Sequence, residues 1–373
     1  MRIAGAGPAG LAAAIALARG GRAVEVHEAR ADVGTRFVGD MQIIESSSDH
    51  EPVPAFLDRI GIGRNFYFRP ADWATFYDHR GVARRIRSGE PYGWFIRRGA
   101  EEGTLDRGLL AQARDAGATV AFNSRLAPAD ADIIATGPAV PDGLAREMTW
   151  RTDEPERIDV LFDHRLAPGG YAYLLILDGM ATFGCAIVAD FKGIDDYFER
   201  CVAAIQRAHK FEVPHQTRTA YAYMNFHLKE RATSEAHRYV GEAGGFQDYL
   251  FGLGLRYALT TGHLAARSIL EDRDFDELWP AEISRKQEVS LVNRFLYEAG
   301  GNFGLSIFVR RAERTRDFRR YFARWNERRW WTGLLLRYVR RAWRHAGPCH
   351  HKPADHWCRA RTTEMKVPRR PAR

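Results

Sequence analysis

Four cysteines among 373 residues are too few for a disulfide framework, so a reducing, cytoplasmic setting is expected. No apolar run approaches the ~18 residues that a membrane span requires. Strand-like residues begin at Arg2, which leaves no room for a signal peptide ahead of the fold. No internal repeat is present, and no recognised nucleic-acid-binding module, so no nucleic-acid partner is expected. A hydrophobic fraction of 45% and a charged fraction of 27% exclude a fibrous or wholly disordered chain. Acidic charge is also scarce in one place. Residues 306–373 hold 20 of the 55 Lys and Arg but only 5 of the 47 Asp and Glu, a net +15, which leaves −7 on residues 1–305. The basic end, rather than the body, would seek phosphates or anionic lipid.

At about 150 residues per domain the length allows about two domains. Residues 2–5 are a short apolar start, Ala9 to Arg19 is rich in Ala and Leu, and Ala23 to His27 is β-branched at Val24 and Val26. This is a strand–helix–strand unit. A helix is expected at Pro54–Ile60 and another at Thr104–Ala116, where Thr104 can cap it. Short strands are expected across 65–97, then at Thr119–Phe122 and Asp132–Ala135. From Trp150 to about Met224 the pattern is that of an antiparallel sheet, with strands at Val160–Phe162, Tyr171–Leu177 and Ala181–Ala189 and a helix at Asp195–His209. Arg238–Gly241 returns to the first unit and feeds a helix from Gly254 to Glu271. Beyond Asp272 the chain is expected to be helical.

Gly5-Ala6-Gly7-Pro8-Ala9-Gly10 is a G-x-G-x-x-G between strand and helix. Gly5 permits the tight turn, Gly7 lets backbone approach a pyrophosphate, and Gly10 lets helix and strand pack closely. Pro8 suits the first helical turn. The pyrophosphate would sit on the helix N-terminus. Glu28, with Ala29 beside it, ends the second strand 18 residues after Gly10, where a carboxylate accepts ribose hydroxyls. The bland alternative is a glycine-rich turn with no ligand.

A second glycine element follows far downstream: Tyr239-Val240-Gly241-Glu242-Ala243-Gly244-Gly245-Phe246, then Phe251-Gly252-Leu253-Gly254-Leu255. With both elements the chain resembles the FAD-dependent geranylgeranyl reductases and para-hydroxybenzoate-hydroxylase-like monooxygenases, over roughly residues 1–300. The resemblance implies that Gly241 and Glu242 meet the ribityl chain, with Glu where the family usually has Asp. It implies that the helix after Gly252, Gly254 and Leu255 points its N-terminus at the flavin. It also implies cofactor contacts for Arg36, Arg98, Thr136 and Gly137. Arg36 is equally compatible with a solvated loop. Thr136 stands where related hydroxylases often carry the Asp that serves both FAD and NADPH. That substitution weighs against an NADPH-dependent hydroxylase, although NAD(P)H stays open as electron donor.

The expected architecture is α/β. Residues 1–75, 98–150 and 235–272 would form a Rossmann-like FAD-binding domain, and 76–97 with 151–234 an antiparallel-sheet substrate domain. A helical region would span 273–345 and a flexible basic Cys/His tail 346–373. The flavin would carry the hydride, so no triad or carboxylate dyad is expected and no proton donor can be named. Tyr171, Tyr173, Tyr249 and Phe251 are candidates to touch a small or lipid-like substrate, the first two being equally compatible with plain core. Three functions compete: an alkene reductase of the geranylgeranyl-reductase type, a flavin monooxygenase, and a non-catalytic flavin- or lipid-binding protein.

From Arg310 onward Arg alternates with aromatics, and five of the nine Trp lie between 325 and 357. For 310–325 a helix packed on the body is favoured, and for 328–345 contact with an anionic membrane surface, giving a cytoplasmic protein peripheral to the membrane. Cys349, His351, His356 and Cys358 contain the ligand types for zinc but match no familiar spacing, so no metal is expected.

Overall fold

A computed structural model of the chain describes residues 1–344, except 47–48, 139–141, 210–212, 226–230 and 235. The Arg2–Ala4 strand runs into helix α1 (Pro8–Arg19), whose residues Ala9 to Ile15 are all buried. The small Ala and Gly side chains of α1 have a packing reason. A Cβ on Gly262, in the long helix described below as α5, would lie 2.1 Å from the Ala9 carbonyl oxygen. Helix α2 spans Val53–Arg59, and α3 spans Leu105–Asp115. The Thr104 hydroxyl caps α3, accepting from the Arg107 N–H at 3.3 Å. Helix α4 (Ile194–His209) lies on the second sheet, and α5 (Leu255–Leu270) packs against α1. The chain then continues through α6 (Phe275–Trp279), α7 (Arg285–Arg314), α8 (Phe318–Asn326) and α9 (Trp330–Arg344).

The first sheet has six strands in the order 233–234, 237–239, 133–134, 2–4, 25–27, 119–121. All pairings are parallel except the outermost, between 233–234 and 237–239. Placing 237–239 beside 133–134 brings the two glycine elements, more than 200 residues apart, to one end of one sheet. The second sheet has seven strands in the order 218–224, 143–151, 180–187, 171–177, 157–161, 73–77, 83–87. It is antiparallel but for the pairing of 157–161 with 73–77. One face buries Leu174, Phe183 and Cys185 against Phe198, Cys201 and Ile205 of α4. A small third sheet joins 41–45, 93–97 and 69–71.

Two expected boundaries differ. Residues 143–150, placed with the first domain on sequence, belong to Gly143–Arg151, an inner strand of the second sheet. Gly93–Arg97, placed with the second, belongs to the small third sheet instead. In both cases a strand that is apolar on its buried face shows its type in the sequence but not its partner. Helix α7 kinks at Gly301, where φ is +50°. Past the kink the chain crosses the second sheet, and α8 buries Phe318 and Phe322 there. Residues 310–325 are thus a packed element.

Candidate functional site

A cavity of about 960 Å³ opens between the sheets. Its polar end is built by the two glycine elements. Gly5 has φ +102° and no room for a side chain, since a Cβ would lie 2.4 Å from the Ala135 oxygen. Gly10 is packed against the same turn, its Cβ position 2.0 Å from the Gly5 oxygen, and it does not line the cavity. Gly7 is different: φ is −78° and a Cβ would meet nothing within 4 Å. It faces the open cavity. The N-terminus of α1 carries no side-chain cap and no acidic residue in its first turn, so its first N–H groups are open to that space. Glu28 flanks it, accepting from the Ala6 N–H at 2.9 Å and the Arg30 N–H at 3.0 Å.

The second element approaches from the other side. Gly241 (φ +56°) and Gly252 (φ +71°) turn the backbone so that Gly254 starts α5, again without a side-chain cap. Gln247 braces this loop, donating to the Gly252 carbonyl at 2.7 Å and accepting from the Asn225 N–H at 2.9 Å. Two uncapped helix starts therefore face one cavity. A phosphate-bearing, elongated ligand fits such a cradle: its anionic part on α1, the remainder toward α5.

The remaining polar wall is charged. Arg36 lies 3.7 Å from Glu242, whose pKa burial raises against the pull of Arg36 and Arg98. Arg98 is buried and committed to Asp106 through two hydrogen bonds of 2.8 and 2.9 Å, with a third to Gln42 at 3.2 Å. Its guanidinium carbon also lies 4.0 Å from the Phe37 ring centroid. Its first role is therefore holding α3 to the cavity wall. Thr136 and Gly137 follow the 133–134 strand and line the cavity, as do Pro8, Ala9, Ala29 and Leu255.

The far end is apolar and aromatic. Phe76 meets Phe162 and Phe318 edge-on at 5.3 and 5.5 Å, and Phe251 stacks on Phe322 at 5.6 Å. Tyr171, Tyr173 and Phe251 line the cavity; the Tyr171 hydroxyl donates to the Phe251 carbonyl at 2.9 Å. Tyr249 does not. It is fully buried among Leu291, Val292, Leu336 and Val339, because its backbone is anchored to Ser290 of α7 and its ring turns away from the cavity.

The sequence reading missed two contributions. Phe318 and Phe322 come from the basic C-terminal stretch and cap the aromatic end, a role only tertiary packing reveals. Glu147 lies buried in the cavity wall, 3% exposed, with Asp40, which is wholly buried, close enough to act on its titration. A lone acid in an otherwise half-apolar strand, Gly143–Arg151, was the available signal. The cysteine cluster Cys349, His351, His356 and Cys358 lies outside the described residues. Among the described residues no group of His, Cys, Asp and Glu is arranged to hold a metal.

Residues 3–60 match the family model of an NAD(P)-binding Rossmann-like domain. No curated protein matches the chain in sequence. Among solved structures, a geranylgeranyl bacteriochlorophyll reductase-like protein from Thermoplasma acidophilum superposes with a TM-score of 0.69 at 16% identity, covering 91% of this chain and 98% of that one. A flavin-dependent brominase gives 0.63 at 14% identity, over 91% and 97%. The p-nitrophenol 4-monooxygenase of Pseudomonas putida gives 0.59 at 14% identity, over 88% and 98%. The chain shares their fold across nearly its whole described length.

Proposed function

We propose that the protein is an FAD-dependent oxidoreductase whose substrate is an apolar organic molecule, and that it saturates a carbon–carbon double bond. The observation that carries this reading is the pairing of two uncapped helix starts, α1 at Gly7 and α5 at Gly254, on one cavity whose opposite end is aromatic. Flavin dependence is named for the brominase and reductase-like character for the Thermoplasma protein. FAD fits the cradle: Gly7 leaves room for the diphosphate, Glu28 is placed for the ribose, and Arg36 with Glu242 for the ribityl chain. Bound there, FAD would supply hydride chemistry, with NAD(P)H as its electron donor. The chain's own part is to position the cofactor, exclude water from the aromatic end and hold protons. Thr136 in place of a carboxylate favours a reductase over an NADPH-dependent hydroxylase.

The test is to identify the cofactor by mass after release from purified protein, then to follow absorbance on anaerobic reduction with NAD(P)H. FAD is the expected cofactor; NAD alone, or nothing after reconstitution, rejects the reading. Oxygen uptake that rises with an aromatic substrate identifies a monooxygenase instead. Replacing Glu242 by Ala removes a charged acceptor and leaves Arg36 without its carboxylate. FAD binding should weaken by about 1–3 kcal/mol, about 5- to 150-fold, in a flavin-quenching titration. An unchanged dissociation constant removes Glu242 from the site.

We further propose that the outer face of α9 meets an anionic membrane surface. No helix among the described residues is long and apolar enough to cross a membrane.

A further inference from the structure

Glu147 sits between two neighbours in the second sheet. It pairs with Gly184, and Gly184 pairs on its other side with Tyr173. A Cβ at Gly184 would lie 2.3 Å from the Tyr173 ring and 2.5 Å from its hydroxyl. The missing side chain is what lets Tyr173 lie across the strand and donate its O–H to Glu147 Oε1 at 2.5 Å. Oε2 of Glu147 is buried with no hydrogen-bond partner. An ionised carboxylate would leave that oxygen charged and unsolvated, at a cost a neutral carboxyl avoids.

The surrounding charges do not rescue it. Arg98, at the end of the 93–97 strand, is taken by Asp106, and Arg36, from the loop after the second strand, is taken by Glu242. Asp40, next to the 41–45 strand, is itself raised by burial, but the Val38 N–H and the Gln42 amide, both at 3.0 Å, and the Arg98 charge favour its ionised form, which puts a like charge beside Glu147. From the 171–177 strand only the neutral hydroxyls of Tyr171 and Tyr173 face this corner. Burial first, and the Asp40 charge second, push the Glu147 pKa up to about 8, against Tyr173, Arg98 and Arg36.

We propose that Glu147 is the proton donor of the site, a carboxyl group kept in its acid form at the cavity wall and handed to the substrate from there. The inference rests on the oxidoreductase reading and deepens it. Saturating a double bond adds a hydride to one carbon and a proton to the other. The hydride with its electron pair is the reduced cofactor's contribution. The proton comes from breaking the Glu147 O–H bond and forms the second C–H bond. The carboxylate left behind keeps the Tyr173 hydrogen bond until solvent returns a proton.

Two measurements on the flavin-loaded protein test this. A hydrophobic carbodiimide, which reacts with protonated carboxyls, should label Glu147 at neutral pH and lose it above about pH 8, as read by peptide mass spectrometry. In Tyr173→Phe labelling should persist to higher pH, because the lost hydrogen bond had favoured the ionised form. Geranylgeraniol then serves as the alkene probe in single turnovers of pre-reduced protein. Glu147→Gln should slow its reduction by about 10²- to 10⁴-fold, and Glu147→Asp should restore part of it. An unlabelled Glu147 at neutral pH, or a Glu147→Gln variant with the rate and pH profile of the parent, overturns the proposal. If the parent binds FAD but leaves geranylgeraniol unreduced, the alkene reading fails and the labelling alone decides whether Glu147 holds the proton. If Glu147→Gln does not fold, labelling of the parent and of Tyr173→Phe still decides it.

Discussion

Gly7→Leu should yield folded protein with no flavin. The backbone at Gly7 has φ −78° and ψ 177°, which any residue adopts, and a Cβ there meets nothing within 4 Å. The substitution therefore leaves the fold intact. The leucine side chain would project into the space that the cofactor's diphosphate needs, over the open start of α1. A steric block of this kind should weaken binding by at least about 100-fold, about 2.7 kcal/mol or more. Flavin absorbance per chain after purification, with a melting curve beside it, separates the two effects. Flavin retained at the parent level would show that the phosphate does not lie on α1.

The neighbouring glycine gives the control. Gly10→Ala places a methyl group 2.0 Å from the Gly5 carbonyl oxygen, which is backbone and cannot swing aside. That variant should lose the fold of the turn, and its melting temperature, along with the flavin. The melting curve thus separates Gly7, proposed to serve the ligand, from Gly10, which serves packing.

The motif was legible because its physics is local. Gly5, Gly7, Gly10 and Glu28 lie within one strand–helix–strand unit, and spacing alone predicts their geometry. Gly241 and Gly252 were legible for the same reason, since a glycine-spaced loop before a helix is a short-range signal. What sequence hid was long-range. Gly143–Arg151 looked like part of the first domain because strand partners are set by tertiary contacts, not by composition. Tyr249 stands two residues from Phe251, and only the packing of α7 decides that one faces the core and the other the cavity. Glu147 carried no spacing signal. Its importance comes from Gly184 and Tyr173 on two other strands, and from an Asp40 more than 100 residues away.

Replacing Trp330, Leu334 and Tyr338 together by Ala should detach the protein from anionic vesicles while leaving it folded. The three residues recur every fourth position, so they form one stripe on α9, and they are 84%, 54% and 58% exposed. The opposite face of the helix is already used: Leu336 and Val339 are buried in a cluster with Leu291 and Val292 of α7. Helix α9 is therefore anchored by one apolar face and offers a second to its surroundings. Exposed arginines, Arg328, Arg329, Arg337 and Arg340, flank the stripe; Glu288 pairs with two of them, Arg340 at 3.1 Å and Arg328 at 3.9 Å. Apolar side chains ringed by Arg, in a segment carrying +15 over 306–373, complement an anionic lipid surface rather than a neutral one. Partial insertion of each side chain contributes about 1 kcal/mol, so losing three should weaken vesicle binding by about 3 kcal/mol, about 150-fold. Alanine keeps helix propensity, and Leu336 and Val339 stay in place, so the protein should remain folded, its melting temperature falling only by what Tyr338 loses in its edge-on contact with the Phe295 ring at 5.7 Å. Co-sedimentation with phosphatidylglycerol vesicles measures the loss, and phosphatidylcholine vesicles should capture little of either protein. Binding of the parent should fall as salt rises, because exposed charges are screened over ~10 Å at 0.1 M. Equal sedimentation of parent and variant rejects the membrane surface. A parent that is dimeric, and becomes monomeric with the three substitutions, would assign the stripe to a second copy of the chain.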